Sequence, residues 1–303
     1  MSMQILSSFT AALPSAIEQG LLYAVMALGV MITYLVLDFP DLTVDGSFPL
    51  GAVVSVRLIM GGANPVAAML ASAAAGALAG LVTGLIHVKL KVRDLFSGII
   101  VMTALYSINL RLAGDSALLP LPRTSLTLFR NNPVADALPR GFGTLIIALV
   151  IALVVKALLD LFFKTRAGFL LRAAGDNPQV VTALARDKGQ VKIMGLMIAN
   201  ALVALSGGIV AQEQRMFEIS MGTGSMVLSL ASVILGVNLL GKLDKISTTL
   251  KVIIGAVLYK ISVTFAIACG LKPGDLKLIT SLLFLVILAA GLFPKGGKKH
   301  AGP

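Results

Sequence analysis

Charged residues are scarce in this chain: 13% of its 303 residues are Asp, Glu, Lys or Arg, against roughly a quarter in an average soluble domain. Tryptophan is absent, and a single cysteine, Cys269, excludes an intrachain disulfide. Instead, 57% of the residues are hydrophobic, in runs that approach the length of about 20 residues needed to cross a bilayer as a helix. The alternating pattern of a membrane β-barrel is missing. The sequence therefore predicts an all-α, polytopic bundle of transmembrane helices.

Motifs for catalysis and for metal binding are also lacking. No Ser-His-Asp, Cys-His or paired-carboxylate arrangement has suitable spacing, and neither His87 nor His300 has a second metal ligand at a suitable spacing. The stretch 236–243, "GVNLLGKL", matches a phosphate-binding loop until Leu243 replaces the Ser or Thr that holds magnesium. We therefore expect no enzymatic activity, no metal, no cofactor and no ATP hydrolysis by this chain.

Apolar segments of helical length predict eight to ten spans within a single domain that takes in the whole chain. Their expected ranges are 16–37, 47–60, 65–88, 94–112, 142–163, 191–212, 225–240, 246–270 and 276–293. Segments 47–60 and 225–240 are short, so we expect them to be broken or partly re-entrant. A polar segment, 164–190, separates a first half, 16–163, from a second half, 191–293.

The net charge of +11 is best explained by membrane topology. Most of the 25 lysines and arginines lie in blocks between apolar runs, at 89–93, 164–192 and 242–251, and in a basic tail, 294–303. Because these basic residues do not lie along one face together with aromatic residues, we expect no nucleic-acid partner. Lys and Arg accumulate in the cytoplasmic loops of membrane proteins. We therefore expect the N-terminus and the loop 114–140 outside, and the C-terminus in the cytoplasm.

Two polar, glycine-containing segments precede short apolar helices, one in each half. They read "LTVDGSFPLGAVVSV" and "SMGTGSMVLSLASV", and Gly46-Ser47 in the first corresponds to Gly224-Ser225 in the second. Paired, glycine-interrupted short segments of this kind indicate the central pathway of a transporter.

Three carboxylates, Asp38, Asp41 and Asp45, lie where the first two spans meet. Polar groups at membrane depth are costly unless they face protein or water. Two alternatives stay open for this segment. It is either a short cytoplasmic turn with solvated carboxylates, or a helix broken near Pro40 and Gly46 whose polar groups line a cavity.

Small and charged residues inside the spans indicate further roles. The third span has glycines at four-residue intervals: Gly76, Gly80 and Gly84. They leave one face of the helix without side chains, so another helix can pack closely against it. Lys260, near the middle of a span, is a candidate functional residue, with snorkelling or pairing with a carboxylate as the alternative. Arg57 and Lys156 lie nearer to span ends, where snorkelling is sufficient.

The segment 171–189, "LRAAGDNPQVVTALARDKG", is the longest polar interruption. We expect the preceding helix to stop in this segment and a short helix to follow. Asp176 or Asn177 would be the N-cap of that short helix, and Pro178 would lie in its first turn. The apolar stripe of that helix includes Leu184 and would lie on the membrane surface or dock into a partner protein. A solvated loop is the alternative.

These stretches resemble a known family. "LRAAGDNPQVVTALA" resembles the cytoplasmic coupling segment of permeases in the binding-protein-dependent ABC importers that serve ribose and branched-chain amino acids. "PDLTVDGSFPLGA" and "GTGSMVLSLASVILGVNLLG" are similar to corresponding segments in the two halves of those permeases. With "SGIIVMTALYSINLRL", the run "LDFPDLTVDGSFPLGA" is closer still to a largely uncharacterised branch associated with tryptophan and tyrosine import. One departure is Val237, which follows Gly236 where the ribose branch often has paired glycines.

The resemblance implies a type II importer permease in the bacterial inner membrane, with pseudo-repeated halves. Two copies, as a homodimer, would form the pathway, with a separate ATPase beneath and a periplasmic or lipid-anchored substrate-binding protein above. The residues implied in coupling to the ATPase are Arg172, Gly175, Asp176, Asn177, Pro178 and Leu184. The residues implied near the pathway are Asp41, Thr43, Asp45, Gly46, Ser47, Gly222, Thr223 and Ser225.

We therefore predict an importer permease that passes a small solute, with an aromatic amino acid as the first candidate. Two alternatives remain. One is a permease of the same kind for a sugar or a nucleoside. The other is a secondary transporter driven by an ion gradient, with Lys260 and the carboxylates of 38–45 as its relay.

Overall fold

The computed structural model describes residues 2–139, 142–176, 187–241, 243 and 246–270, with scattered positions between 275 and 286. In chain order its helices are α1 (Ser2–Met31), α2 (Val44–Met60), α3 (Pro65–Lys89), α4 (Asp94–Leu112), α5 (Pro133–Asp136), α6 (Gly143–Phe163), α7 (Arg166–Asp176), α8 (Lys188–Gln214), α9 (Ser225–Leu240) and α10 (Thr248–Ala268). A π-helical turn, Ile32–Val36, continues α1, and a 3-10 turn, Ile219–Gly222, precedes α9. Two short strands, β1 (Leu118–Pro120) and β2 (Met216–Glu218), pair antiparallel.

Seven helical stretches in the described part of the chain are long and apolar enough to cross a membrane. They are Leu6–Val36, Pro65–Lys89, Asp94–Leu112, Gly143–Phe163, Lys188–Gln214, Ile219–Leu240 and Thr248–Ala268. This confirms the prediction of an all-α, polytopic membrane protein. α2, with 17 residues, is not among them, and α9 is included only together with the turn that precedes it. The predicted span 276–293 lies mostly outside the described residues.

α1 is longer than its apolar run suggests. It begins at Ser2 rather than near residue 16, and the stretch able to cross a membrane begins at Leu6. The polar residues of this first part fit a helix because their hydroxyls bond within it: the Thr10 hydroxyl donates to the Leu6 carbonyl oxygen at 3.0 Å. Hydropathy alone therefore places the start of this helix too late.

Side-chain caps set the start of three other helices. The Asn64 side chain accepts a hydrogen bond from the Val66 N–H at 2.8 Å, and Pro65 occupies the first position of α3, where a missing N–H costs nothing. Asp187 accepts from the Gly189 N–H at the start of α8, and the Ser247 hydroxyl caps α10. These caps satisfy N–H groups that have no partner within the helix.

One end of the bundle, here called the sheet end, contains β1 and β2. Phe217 of β2 is fully buried there in a cluster with Ile59 at the end of α2, Ala113 after α4, and Leu121 after β1. α8 stops just before this cluster at Arg215, whose φ of 58° is left-handed. The sheet end therefore gathers the C-terminal ends of α2, α4 and α8.

The opposite end, here called the α7 end, contains α7 and the break after α1. Leu171 of α7 and Leu37, just after the π-helical turn, both lie against Gly195 of α8. At the same end, Val88 of α3 lies against Gly189, at the start of α8. The described residues of the basic blocks 89–93 and 164–192 are therefore at one end of the bundle.

Glycines allow α3 and α8 to pack with their backbones nearly in contact. A Cβ atom on Gly76 would collide with the Asn200 carbonyl oxygen, and one on Gly80 would collide with that of Leu196. At Gly84 the nearest atom, the Ile193 Cα, would be 3.0 Å away. The three glycines singled out in the sequence thus share the face of α3 that meets α8.

Replacing Gly80 with leucine tests this contact. We expect Gly80→Leu to cost about 1–3 kcal/mol or more, because the added side chain must push two helix backbones apart. Ala74→Leu, at an exposed position of the same helix, is the matched control and should stay within about 0.5 kcal/mol. The readout is the temperature at which the purified protein loses its monodisperse peak in size-exclusion chromatography. Equal temperatures for the two variants would contradict the close contact.

Candidate functional site

α1 and α2 are joined by a break in the helix. The π-helical turn ends at Val36, Asp38 adopts a left-handed φ of 49°, and regular helix resumes only at Val44. Asp41 within the break is fully buried, so a solvated turn does not describe it, whereas Asp38 is exposed. The break therefore has an exposed part near the α7 end and a buried part inside the bundle.

Asp41 and Asn200 centre a buried polar network. One Asp41 oxygen accepts a hydrogen bond from the Thr43 N–H at 2.9 Å, and the other accepts from the Asn200 side-chain amide at 2.7 Å. The Asn200 carbonyl oxygen accepts from the Ser47 hydroxyl at 2.7 Å. The hydroxyls of Thr43 and Thr83 lie 2.8 Å apart. This network fastens the start of α2 to α3 and α8.

The predicted pathway residues Asp41, Thr43 and Ser47 are therefore enclosed by protein. Each is fully buried, and their polar atoms bond to one another or to neighbouring helices. Sequence reasoning missed Asn200 and Thr83, although a polar side chain within an apolar span is a recognisable signal.

Asp45 joins the two pseudo-repeated segments directly. One of its oxygens accepts from the Gly224 N–H at 3.0 Å, and the other accepts from the Ser225 hydroxyl at 2.9 Å and the Met226 N–H at 2.8 Å. A side chain of α2 thus caps α9 from another helix. The carboxylate also meets the positive end of the α9 dipole. Gly222 fits here because a Cβ atom would collide with the Asp45 carbonyl oxygen.

A cavity of about 340 Å³ opens beside this junction. Its lining residues are Asp45, Gly46, Pro49, Met102, Thr103, Tyr106, Asn109, Ile219 and Thr223. Three of them, Asp45, Gly46 and Thr223, were predicted to lie near the pathway. Gly222 and Ser225 adjoin Asp45 and are buried.

Asn109 is a lining residue of this cavity and carries a buried hydrogen-bond acceptor. The residue is fully buried, and its amide nitrogen donates to the Gly46 carbonyl oxygen at 3.1 Å. Its own Oδ1 has no partner among the described residues. Because a buried acceptor without a partner is unfavourable, this atom favours a ligand that can donate a hydrogen bond. Sequence reasoning missed it.

The coupling segment is described as far as Asp176. Arg172 is exposed, with its guanidinium 4.6 Å from the centroid of the Phe163 ring, and a Cβ atom on Gly175 would collide with the Val36 carbonyl oxygen. Arg172 and Phe163 also border a cavity of about 470 Å³ at the α7 end. The remaining implied residues, Asn177, Pro178 and Leu184, lie outside the described residues.

α7 begins at Arg166 and ends at Asp176, and the short helix predicted to follow Asp176 or Asn177 lies outside the described residues. The Thr165 hydroxyl accepts from the Gly168 N–H at 3.2 Å and is the residue that caps this helix.

The charged side chains inside the spans have different partners. Lys156 forms an ion pair with Asp160 at 2.7 Å rather than only snorkelling, and Arg57 donates to the Leu112 carbonyl oxygen at 2.6 Å. Lys260 lies over the Tyr23 ring, with its Nζ 3.8 Å from the ring centroid.

Comparison with known proteins gives this arrangement its context. The profile of the family described as "branched-chain amino acid transport system / permease component" matches residues 14–290. The chain belongs to this family. It is the permease of an ABC importer, as the resemblance of its motifs implies.

Individual relatives point the same way. The permease is 41% identical to the tyrosine transport system permease protein of Clostridioides difficile, over 91% of this chain and 90% of that one. It is 26% identical to a probable branched-chain amino acid transport permease protein of Methanocaldococcus jannaschii, over 92% and 89% of the two chains. A nucleoside ABC transporter permease protein of Lactococcus lactis is 29% identical over 45% of this chain and 40% of its own. No solved structure matches the permease.

Asp45 offers a direct test of the junction between α2 and α9. Asp45→Asn removes the charge and one acceptor oxygen, so we expect a loss of about 1–2 kcal/mol in the free energy of unfolding. Asp38→Asn is the matched control, because Asp38 is exposed and asparagine tolerates its left-handed φ. The readout is circular dichroism during titration with SDS. Equal losses for the two variants would contradict the capping role of Asp45.

Proposed function

We propose that the permease passes an amino acid, with tyrosine as the first candidate, through the cavity beside Asp45. The tyrosine transport system permease protein of Clostridioides difficile, 41% identical over most of both chains, supports this substrate class. The cavity also suits an aromatic side chain. Pro49, Met102 and the exposed Tyr106 ring supply apolar contacts, and Asn109 supplies an acceptor for a hydroxyl or ammonium group.

One observation carries this proposal: the carboxylate of Asp45 holds the N-terminus of α9 against the start of α2. α2 is too short to be a candidate span, and it follows a partly buried break. Discontinuous helices that meet inside the membrane are the usual construction of a substrate site in transporters. The adjoining cavity is therefore the best candidate for the pathway.

We expect a separate ATPase to drive transport from the α7 end. Leu243 leaves the phosphate-loop-like run incomplete, so ATP must be hydrolysed elsewhere. Arg172 is exposed at this end, and the basic blocks that gather there favour a cytoplasmic location. This orientation puts the N-terminus outside and the C-terminus in the cytoplasm.

The sheet end then faces the substrate-binding protein. Its loop between α4 and α6 carries Arg123 and Arg130. Burial lowers the pKa of Arg215, and the nearby charges of Arg130 and Arg123 lower it further. These arginines offer a basic surface for docking. A second copy of the permease completes the pathway, because the cavity opens to the surface of this chain at Thr103 and Tyr106.

A continuous series of contacts connects the α7 end to the cavity. Gly175 of α7 packs on the carbonyl of Val36, at the start of the break. The break leads to Asp41, which Asn200 of α8 holds, and then to Asp45, which holds α9. Movement of α7 with the ATPase would therefore shift the break and both short helices together, by rigid-body motion of packed helices.

Reconstitution tests the proposed function. The permease, its ATPase and the loaded binding protein are incorporated into liposomes, and uptake of radiolabelled tyrosine is measured. We expect uptake with ATP and none with a proton or sodium gradient alone. Uptake on a gradient without ATP would favour a secondary transporter. ATP-driven uptake of a sugar or nucleoside in place of tyrosine would overturn the substrate assignment only.

Alanine substitution of 176–178 tests the docking of the ATPase. We expect the triple variant to insert and fold normally but to lose most ATP-driven uptake, because these residues begin at the last residue of α7. Lys89→Ala with Leu90→Ala, at the exposed C-terminal end of α3 and at the same end of the bundle, is the control and should retain uptake. Co-purification of the ATPase with each variant is the second readout. Unchanged uptake and co-purification in the triple variant would contradict the docking assignment.

A further inference from the structure

Lys260 is a charged residue that the pathway described above does not use. It lies near the middle of α10, a helix of 21 residues that is long and apolar enough to span the membrane. A lysine at that depth is unfavourable unless another group compensates its charge, and such residues usually face the protein interior or a water-filled cavity.

The partner of Lys260 is an aromatic ring rather than a carboxylate. Its Nζ lies 3.8 Å from the centroid of Tyr23, and it has no ion pair among the described residues. Lys156, another lysine inside a span, pairs with Asp160 at 2.7 Å. A ring face attracts a cation without neutralising it, so Lys260 keeps the capacity to bind an anion.

Close packing of α1 and α10 sets this position. The Val257 Cα would lie 2.6 Å from a Cβ atom on Gly20, so the two backbones nearly touch one turn from Tyr23 and from Lys260. Tyr23 in turn stacks on Phe48 of α2, with ring centroids 5.6 Å apart and an interplanar angle of 22°. The lysine is thereby connected to the same short helix that carries Asp45.

Carboxylates lie in the same region, but towards the sheet end rather than beside Lys260. Glu213, at the end of α8, interacts electrostatically with Tyr23 and with Glu18 of α1. All three side chains are partly exposed. A zwitterion that entered this region would meet a cation at Lys260 and acidic groups towards the sheet end.

We propose that Lys260, held on the Tyr23 ring, binds the carboxylate of the transported amino acid inside the membrane. This rests on the proposed function, because it assigns a charged group of the substrate class named there. The substrate anion supplies the counter-charge that the described residues do not give Lys260. Arginine should replace lysine with partial success, since it keeps the charge and also stacks on aromatic rings.

Saturation-transfer NMR detects weak ligand binding and suits this test. The purified full-length permease in lipid nanodiscs is given tyrosine, 3-(4-hydroxyphenyl)propionate, which keeps the carboxylate, or tyramine, which lacks it. We expect signals for the first two ligands and little for tyramine. Lys260→Met should weaken binding of the two carboxylates about tenfold or more, as for the loss of a charged contact, and Lys260→Arg should retain part of it.

Lys156→Met is the matched control, since it removes another lysine from a span and should leave carboxylate binding unchanged. Equal binding of tyramine and of the propionate, or unchanged binding by Lys260→Met, would overturn the proposal. A change of oligomeric size in Lys260→Met would also overturn the proposal, because it would identify a carboxylate of a second copy as the partner of Lys260. Propionate binding without ATP-driven tyrosine uptake by the wild type would instead contradict the proposed function and leave the anion site standing.

Discussion

The architecture of the membrane interior depends on the hydrogen bonds that the Asp45 carboxylate accepts at the start of α9. Helices that begin within the membrane leave N–H groups without partners, and water is not available there to satisfy them. Asp45 satisfies two of these groups at the start of α9 while belonging to α2. The polypeptide can therefore place two helix starts side by side and keep a cavity of about 340 Å³ next to them.

The surrounding packing keeps this junction in place. Asn200 bonds to both Asp41 and Ser47, so α8 also holds the start of α2. Gly76 and Gly80 let α3 approach α8 at backbone distance, which brings Thr83 within reach of Thr43. Hydrogen bonds thus fix the break, and small residues fix the helices around it. Such a rigid core can move as a body when α7 is displaced.

The sequence predicts the class of fold well and its long-range pairings poorly. Hydropathy locates the spans, and the glycine spacing of α3 selects its packing face, because both signals are local. The contact of Asp45 with Gly224 joins residues 179 positions apart, and no local pattern specifies it. The ion pair of Lys156 and Asp160 was predictable from its four-residue spacing. The free acceptor of Asn109 became apparent only once the cavity was seen.

The most direct test is whether the cavity changes its access with the ATP cycle. Thr223 is exposed at the cavity wall, and Cys269 is the only cysteine, so Thr223→Cys in a Cys269→Ser background carries one label site. Its reaction with a membrane-impermeant thiol reagent, added from either side of the assembled importer, is measured without nucleotide and with trapped ATP. We expect the accessible side to change between the two states. Identical labelling from the same side in both states would contradict it.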